Sequence, residues 1–329
     1  MVLSLKDIQV APRNIPTKLS HTLLEQSCPC GSLQQLRFCC FSPLDGQIRP
    51  PLARLAPPPP ITGFSHSRCY MSSTSDCGPR ITKEHYVSHA VLGAMGDQII
   101  CSGLPWLSDG KTARFGKNSL TANVLCDRHN NALSPLDAAA AIFFSELRHV
   151  ADQLGRKAWS KKIRLRAIRG ENLELWALKI LMGIFHAGIA RSEGRRLRDG
   201  FQLPFELYCG LLASQEKLVS PAGMYVQASS NHRYQLENAV AMAPLTSRPG
   251  NEAVGLWMKI AGHDIKFLFR LDEVGSENLI KSAHVYRPSD LVFVSEAAVD
   301  ERLFLLKLGW ASAKPAMIVM AQELRTPQN

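Results

Sequence analysis

Long hydrophobic runs are absent from this chain of 329 residues. The longest apolar run, AAAAIFF at 138–144, is far too short for a membrane-spanning helix, which needs about 20 such residues. The opening stretch 1–20 also lacks the continuous apolar segment of a secretory signal, because prolines and charged residues interrupt it. We therefore expect a soluble, cytoplasmic protein.

The C-terminal half lacks the short motifs that mark several enzyme classes. It contains no phosphate-binding loop, no dinucleotide fingerprint and no recognisable nucleophile motif. An enzyme whose active site lies in that half is an alternative, but no motif supports it. The residues that indicate chemistry lie in the N-terminal half, where most of the cysteines occur.

Nine cysteines are present, and in a cytoplasmic protein metal binding explains them better than disulfides do. They form two groups and leave two isolated positions. The first group, the second group and the isolated pair are, in that order, Cys28, Cys30, Cys39 and Cys40; Cys69, Cys77 and Cys126; Cys101 and Cys209.

The first group lies in CPCGSLQQLRFCC at 28–40. Two cysteines one residue apart, followed by an adjacent pair, can close a tetrahedral thiolate site, and so short a segment needs the metal to hold it together. The CPCGS core and the following CC resemble the SEC-C motif. The resemblance implies a small zinc-bound module that mediates contacts, for instance with a protein partner, and has no catalytic role. The family's linker is rich in Gly and Lys whereas LQQLRF is not, so charge-based binding is not implied.

A second metal site is predicted from two separated segments. Cys126 and His129 have the spacing of a zinc knuckle, and Cys77 and Cys69 lie upstream of them. These four side chains would form one closed structural zinc site. His66 has knuckle spacing to Cys69 and competes with it as a ligand.

The Glu84–His85 pair lies between these two segments. Zinc that joins the segments would bring the pair close to Asn130, which directly follows the last zinc ligand. Carboxylate and amide oxygens are hard ligands that suit Mg²⁺ or Mn²⁺. His85 could then take a proton from water while the metal stabilises charge on a phosphate. The set indicates a hydrolytic phosphodiesterase site.

The segments CGPRITKEHYVSHAVLG (77–93) and LTANVLCDRHNNALSPLD (120–137) resemble the HNH endonuclease family in its zinc-bound ββα-metal, or treble-clef, form. The resemblance covers residues 69–138 and implies an enzyme that hydrolyses phosphodiester bonds of nucleic acid. It assigns roles by position to four residues. These are the metal-binding acid Glu84, the general base His85, the metal-binding Asn130 and Asn123, which orients the base histidine.

Some features depart from the family's pattern. Histidine stands at position 129 where a fourth cysteine is usual, and glutamate stands at 84 where aspartate is commoner. A long insert, CSGLPWLSDGKTARFGKNS (101–119), carries Trp106 and basic residues. It is either a substrate-binding loop or a surface excursion. His89 is either a further metal ligand or phosphate contact or, as we favour, a structural histidine.

Positive charge is concentrated in RKAWSKKIRLRAIRG (156–170), which contains no acid, and the whole chain carries a net charge of +10. Such a stretch either contacts a phosphate backbone without reading its sequence or forms a solvated helix surface. Under the nuclease interpretation, DNA is favoured over RNA as the partner. The expected contacts are Lys157, Lys161, Lys162, Arg164, Arg166 and Arg169.

The pattern of apolar residues predicts an α+β fold. Helices are expected over 133–159 and 171–194, and short β-rich runs after 201 predict a small, mainly antiparallel sheet. The expected parts are a zinc module with a flexible N-terminus at 1–41, a Pro-rich extended linker at 42–64, an HNH-like treble-clef domain at 65–145 and a C-terminal α+β domain of unknown role at 146–329.

Two functions are compatible with these features. The first is a metal-dependent HNH endonuclease with structural zinc at both clusters and catalytic Mg²⁺ or Mn²⁺ at Glu84 and Asn130. The second is a non-catalytic zinc-binding scaffold that binds nucleic acid or protein. A pure scaffold does not need Glu84 and Asn130 together, so we favour the endonuclease.

Overall fold

The computed structural model describes residues 24–30, 32–44, 47–95, 98–102, 111–116, 118, 120–154, 164–189, 191–192, 195–213, 217–228, 239–247, 251–260, 263–295, 303–311 and 316–322. Helices and sheets are mixed in it, which confirms the α+β class predicted from the sequence. In this part of the chain no helix combines the length and the apolar character that crossing a membrane requires.

Helices and strands follow one another irregularly along the described residues. The α-helices are α1 (Leu36–Cys39), α2 (His89–Met95), α3 (Asp127–Leu154), α4 (Gly170–His186), α5 (Leu197–Gly200), α6 (Phe205–Leu212) and α7 (Glu273–Lys281), and Ser72–Thr74 form a 3-10 turn. The strands are β1 (Ile81–His85), β2 (Gln98–Ser102), β3 (Thr112–Gly116), β4 (Thr121–Cys126), β5 (Arg164–Arg169), β6 (Arg191–Ser192), β7 (Arg195–Arg196), β8 (Gly223–Gln227), β9 (Ala239–Ser247), β10 (Glu252–Ile260), β11 (His263–Leu268), β12 (His284–Tyr286), β13 (Asp290–Ser295), β14 (Leu303–Gly309) and β15 (Met317–Gln322).

The described strands form four sheets. β1 pairs with β4 in a two-stranded antiparallel sheet, and β6 pairs with β7 in another. A seven-stranded sheet has the order β12-β8-β11-β10-β9-β2-β3 and is antiparallel except between β2 and β9. A four-stranded sheet has the order β15-β13-β14-β5, in which the two outer pairs are parallel. The strands predicted after residue 201 are thus divided between two sheets.

Helix α3 begins directly after β4, earlier than the sequence predicted, and continues through Pro135. Proline has no N–H, so the carbonyl four residues before it, here that of Asn131, loses its usual helical donor. The hydroxyl of Ser134 donates to this carbonyl at 2.8 Å. This local replacement of the missing donor explains how the helix continues through Pro135.

Helix α4 is the central element of the fold. Its side chains from Leu173 to Phe185 are all buried, and it packs on α3, on α6 and on the seven-stranded sheet. A helix that is buried all round lies inside a core. That core contains apolar residues from Leu55 to Ile318, so residues on both sides of the predicted division at 145 contribute to it. The division itself falls within α3.

The Pro-rich segment 42–64 is fastened to this core. Leu55 is buried, and the backbone N–H of Ala53 donates to Asn172 Oδ1 at 3.1 Å. Farther along, Arg128 Nη2 donates to the carbonyl oxygens of Pro58 and Pro60. The tertiary contacts therefore hold in place a segment whose prolines alone predict only an extended spacer.

Strands β2 and β3 form one end of the seven-stranded sheet. β2 pairs in parallel with β9 and antiparallel with β3. Part of the insert at 101–119 is therefore sheet, which neither interpretation of the insert anticipated. Trp106 lies outside the described residues.

Candidate metal centres

The first cysteine group converges on one point. The four Sγ atoms lie within 4.8 Å of one another, with 3.6 Å between Cys30 and Cys39 and 3.5 Å between Cys39 and Cys40. Zinc–sulfur bonds of about 2.3 Å place the corners of a tetrahedron about 3.8 Å apart. The group Cys28, Cys30, Cys39 and Cys40 therefore has the donor type and the dimensions of a four-thiolate zinc site.

The surroundings of these thiols act mainly against their ionisation. Burial raises the pKa of Cys28 to about 11 and raises the pKa of Cys40 far above its ordinary value. Burial also acts upward on the pKa of Cys30, but hydrogen bonds with Ser32 outweigh it and bring this pKa to about 7. A bound cation favours thiolates, so metal binding and deprotonation of these cysteines are coupled.

The second cluster joins segments that are far apart in sequence. Cys69 and Cys77 precede β1, Cys126 ends β4, and His129 lies in the first turn of α3. The three Sγ atoms lie 3.5, 3.7 and 3.2 Å from His129 Nδ1, in the order of the chain. Bonds of about 2.3 Å to sulfur and 2.0 Å to nitrogen put tetrahedral donors about 3.5 Å apart. The donor set and its spacing suit zinc, and the competing His66 lies outside the group.

The protonation of His129 follows from its surroundings. Thr74 Oγ1 donates to the carbonyl of Met71 at 2.8 Å, so it accepts from the Nε2–H of His129, 3.0 Å away. The other ring nitrogen, Nδ1, is then unprotonated and faces the three thiols. Burial lowers the pKa of His129, which also favours the neutral ring. A neutral imidazole whose N–H is held by an oxygen is the form in which histidine binds a metal.

We expect Thr74→Val to weaken metal binding at the second cluster by about 10- to 100-fold, because it removes the acceptor that fixes the ring of His129. Thr74→Ser keeps the hydroxyl and should bind metal as the wild type does. Competition with a chromophoric zinc chelator measures both affinities. Wild-type affinity in Thr74→Val, or equal weakening in Thr74→Ser, would contradict the role of the hydroxyl.

A partly buried ion pair connects the two halves of the second cluster. Asp76 directly precedes Cys77, and Arg128 lies between Cys126 and His129. Arg128 Nε lies 2.8 Å from Asp76 Oδ1, and Arg128 Nη2 lies 3.2 Å from Asp76 Oδ2. Burial alone would raise the pKa of Asp76. The hydrogen bond from Arg128 has the larger influence, so this pKa is lowered. Bidentate arginine–carboxylate pairs are strong and directional. This pair therefore holds the segment that ends in Cys77 against the start of α3.

The hairpin of β1 and β4 carries the predicted general base. His85 is the last residue of β1 and pairs with Thr121 of β4. Its Nε2 is shielded from solvent and has no hydrogen-bond partner among the described residues. Burial lowers the pKa of His85, and the ring of His89, centred 5.5 Å away, lowers it further. A lowered pKa keeps the imidazole neutral near neutral pH, so Nε2 can serve as an acceptor.

Asn123 lies at an irregularity of the same hairpin. β4 has one residue more than β1 between the pairs Thr82–Leu125 and Glu84–Ala122. This is a β-bulge, a feature that redirects side chains and is frequent beside active sites. The side chain of Asn123 is exposed. Its role in orienting the base histidine stays a prediction.

Glu84 is held by a buried lysine. Lys179 Nζ lies 2.6 Å from Glu84 Oε1 and 2.5 Å from Asp137 Oδ2. The side chains of Lys179 and Glu84 are 3% and 8% exposed. Burial alone would lower the pKa of Lys179, but the two carboxylates outweigh it and raise this pKa, so the ammonium stays charged. Burial raises the pKa of Glu84 against the opposing influence of Lys179.

The amide of Asn130 is also engaged. Its Nδ2 donates to Thr82 Oγ1 at 3.0 Å, and the Thr82 hydroxyl in turn donates to the carbonyl of Leu125. The described residues contain two groups of histidine, cysteine or acidic side chains that could hold a metal ion, and Glu84 belongs to neither. The structure therefore brings Asn130 against β1, but with its amide bonded to a threonine.

The predicted nucleic-acid contacts divide into two sets. Arg166 Nε lies 2.9 Å from Glu146 Oε1, and Arg169 Nε lies 2.7 Å from Glu171 Oε2. These two guanidinium groups are neutralised locally, which weakens their attraction for phosphate. Lys157, Lys161 and Lys162 lie outside the described part of the chain, and Arg164 is described only as the first residue of β5.

No protein-family model matches the chain, and neither does a curated protein or a solved structure. The fold and the two clusters define a class only: an α+β protein whose described residues contain two four-ligand groups that could hold metal ions. The resemblances to the HNH and SEC-C families therefore rest on the residues quoted for them.

The sequence interpretation missed several residues around these sites, of which Lys179 had a detectable signal. A single lysine within the apolar stretch LELWALKILMGIF (173–185) is costly to bury unless carboxylates meet it. Asp137 and Thr74 had no comparable signal, because each is an ordinary residue of a polar or mixed stretch. Their importance depends on which side chain from elsewhere in the chain reaches them.

Proposed function

We propose that this chain is an endonuclease of the HNH type that hydrolyses phosphodiester bonds of nucleic acid, with DNA favoured over RNA as the substrate. His85 ends the strand whose first residue pairs with Cys126 of the second cluster. The observation that carries the proposal is that His85 is neutral and that its Nε2 has no hydrogen-bond partner among the described residues. Such a nitrogen can accept a proton from the water that attacks phosphorus.

We also propose that both clusters hold zinc and that its role is structural. Each cluster offers four protein ligands, which fill a tetrahedral zinc and leave no position for an activated water. In the second cluster, zinc would join the segment before β1 to the start of α3. The ion would thereby hold in place the hairpin that carries His85.

The sequence predicts Mg²⁺ or Mn²⁺ at Glu84 and Asn130. Such an ion would stabilise negative charge on the phosphate and on the leaving oxygen. The acid as it stands does not fit such an ion, because Glu84 is paired with Lys179. We therefore assign no step of the reaction to a hard divalent ion.

Positive side chains on the same hairpin support nucleic acid as the substrate. Arg80 directly precedes β1, its side chain is 77% exposed, and its contact with Asp127 is a long 3.5 Å. Lys83, within β1, is also exposed. Lys83 is suited to contact a phosphate backbone near His85, and Arg80 is suited to contact it at the other end of the strand, in both cases without reading base sequence.

We expect His85→Ala to lower the cleavage rate by about 10²- to 10⁴-fold, the range that a general base contributes. Zinc-loaded protein is incubated with plasmid DNA and with RNA, with and without added Mg²⁺ or Mn²⁺, and the cleaved products are quantified. His89→Ala is the matched control, since it removes a neighbouring exposed imidazole whose influence on the pKa of His85 should alter the pH dependence of cleavage without abolishing it.

Equal zinc content and equal melting temperature of the variants exclude a loss of fold as the cause. Cleavage at the wild-type rate by His85→Ala would contradict the assignment of the base and place the activity elsewhere. Faster cleavage of RNA than of DNA would keep the mechanism and change the substrate.

A second candidate function is a non-catalytic zinc scaffold that binds nucleic acid or protein. The observation in its favour is the burial of Glu84 against Lys179, an arrangement that stabilises a fold without any chemistry. A scaffold would bind nucleic acid in a gel-shift assay, and both wild type and His85→Ala would leave it intact.

A further inference from the structure

Three elements meet at one buried cation. Glu84 comes from β1, Asp137 from α3 and Lys179 from α4. Because one ammonium contacts both carboxylates, at 2.6 and 2.5 Å, the two acids converge on the same atom, Lys179 Nζ. Asp137 is 24% exposed, whereas Lys179 is 3% exposed.

The position of Lys179 leaves it no other way to be neutralised. It lies in the buried stretch 173–185 of α4, so its ammonium cannot reach water along the side chain as surface lysines do. A buried charge is stable only when opposite charges and hydrogen bonds replace its hydration. Glu84 and Asp137 supply both, which makes the three side chains a unit.

We infer that Lys179 is the resident cation of this site, and that its ammonium occupies the place beside Glu84 where the HNH resemblance implies a hard divalent ion. The inference rests on the proposed function for its consequence: hydrolysis at His85 then proceeds without a divalent ion on Glu84. Lys179 acts as a positioning residue, because it fixes through Glu84 the strand that ends in His85.

A divalent ion and this ammonium exclude one another at Glu84. Both are cations, and repulsion between them is strong where water is absent. A divalent ion could bind Glu84 only if the Lys179 ammonium moved away. Because Lys179 is buried, its ammonium has no path to solvent.

Counting Mn²⁺ ions tests the inference. Zinc-loaded wild type, Glu84→Gln, Lys179→Met and the double variant are titrated with Mn²⁺, and the free ion is measured by its paramagnetic resonance signal. We expect equal numbers of bound Mn²⁺ in wild type and Glu84→Gln. Lys179→Met should bind one ion more, and the double variant should lose it again.

Several outcomes would overturn the inference. One is a Mn²⁺ ion that wild type binds and Glu84→Gln does not. Another is a folded Lys179→Met that gains no ion. Should Lys179→Met fail to fold, amine acylation of wild type followed by mass spectrometry decides: Lys179 stays unlabelled at saturating Mn²⁺ while the exposed Lys83 reacts, and labelling of Lys179 only when Mn²⁺ is present contradicts the inference.

The two proposals fail in distinguishable ways. Cleavage that requires Mn²⁺ and disappears in Glu84→Gln overturns the resident cation and leaves the endonuclease standing. Absence of cleavage by wild type under all conditions counts against the endonuclease, and the Mn²⁺ counts still decide the role of Lys179.

Discussion

Cys126→Ser is expected to release one of two bound zinc ions and to lower the free energy of unfolding by more than about 4 kcal/mol. Cys126 is fully buried, and besides facing His129 its Sγ accepts hydrogen bonds from the backbone N–H groups of Gly78 and His129. Loss of this ligand removes the ion that joins the segment before β1 to α3. Metal analysis gives the zinc content, and chemical denaturation gives the free energy.

Cys209→Ser is the matched control for this variant. Cys209 is an equally buried cysteine outside both metal groups, and its Sγ donates to the carbonyl of Tyr70 at 3.2 Å. Serine can keep that hydrogen bond, so two zinc ions and most of the stability should remain. Retention of both zinc ions by Cys126→Ser would contradict the assignment of the second cluster.

Arg287→Met is expected to lower the free energy of unfolding by about 3–5 kcal/mol. Arg287 Nε and Nη2 lie 2.8 and 2.9 Å from the two carboxylate oxygens of Glu174, and both side chains are almost completely buried. Without the guanidinium, the carboxylate keeps the backbone N–H of Met224 as its remaining described donor. The loss of stability is large because the buried carboxylate of Glu174 is left with too few hydrogen bonds to replace its hydration. Denaturant unfolding measured by circular dichroism gives its size.

Arg270→Met is the control that distinguishes the loss of a buried ion pair from the loss of an exposed one. Arg270 contacts Glu252 at 2.6 and 2.7 Å, but its side chain is 55% exposed. Exposed pairs contribute about 0–1 kcal/mol, so this variant should unfold nearly as the wild type does. A double Arg287→Met/Glu174→Met variant should regain part of the loss, because no buried charge remains. Equal losses for the exposed and the buried pair would contradict this explanation.

The four ligands of the second cluster were predicted from the sequence, but the competition between Cys69 and His66 could not be decided from it. Cys126 and His129 are one helical turn apart, so their spacing alone indicates a shared metal. Cys69 and His66 both had suitable spacing. The turn in which Cys69 N donates to the carbonyl of His66 decides between them, together with the bond from Arg68 N to His66 Nδ1.

Contacts between distant parts of the chain account for most of what the sequence did not predict. Periodicity predicts that α4 is a helix, but not that Lys179 will meet Glu84, because that depends on how α4 packs against the hairpin. The same limit applies to β2, whose pairing with β9 is set by the seven-stranded sheet. Leu55 looks like part of a proline-rich spacer until the core that buries it is known.

The first cluster also covers an edge of the four-stranded sheet. β5 is the last strand of the four-stranded sheet, and the backbone N–H of Ala167 within it donates to the carbonyl of Pro29 at 3.3 Å. Ala167 packs with Cys28 and Cys40. An uncovered strand margin invites pairing with other chains, and Pro29 can accept a hydrogen bond there but has no N–H to offer a further strand. A metal ion bound by Cys28 and Cys30 would hold Pro29 in place. Pro29 would thus prevent a strand of another chain from pairing with the edge of β5.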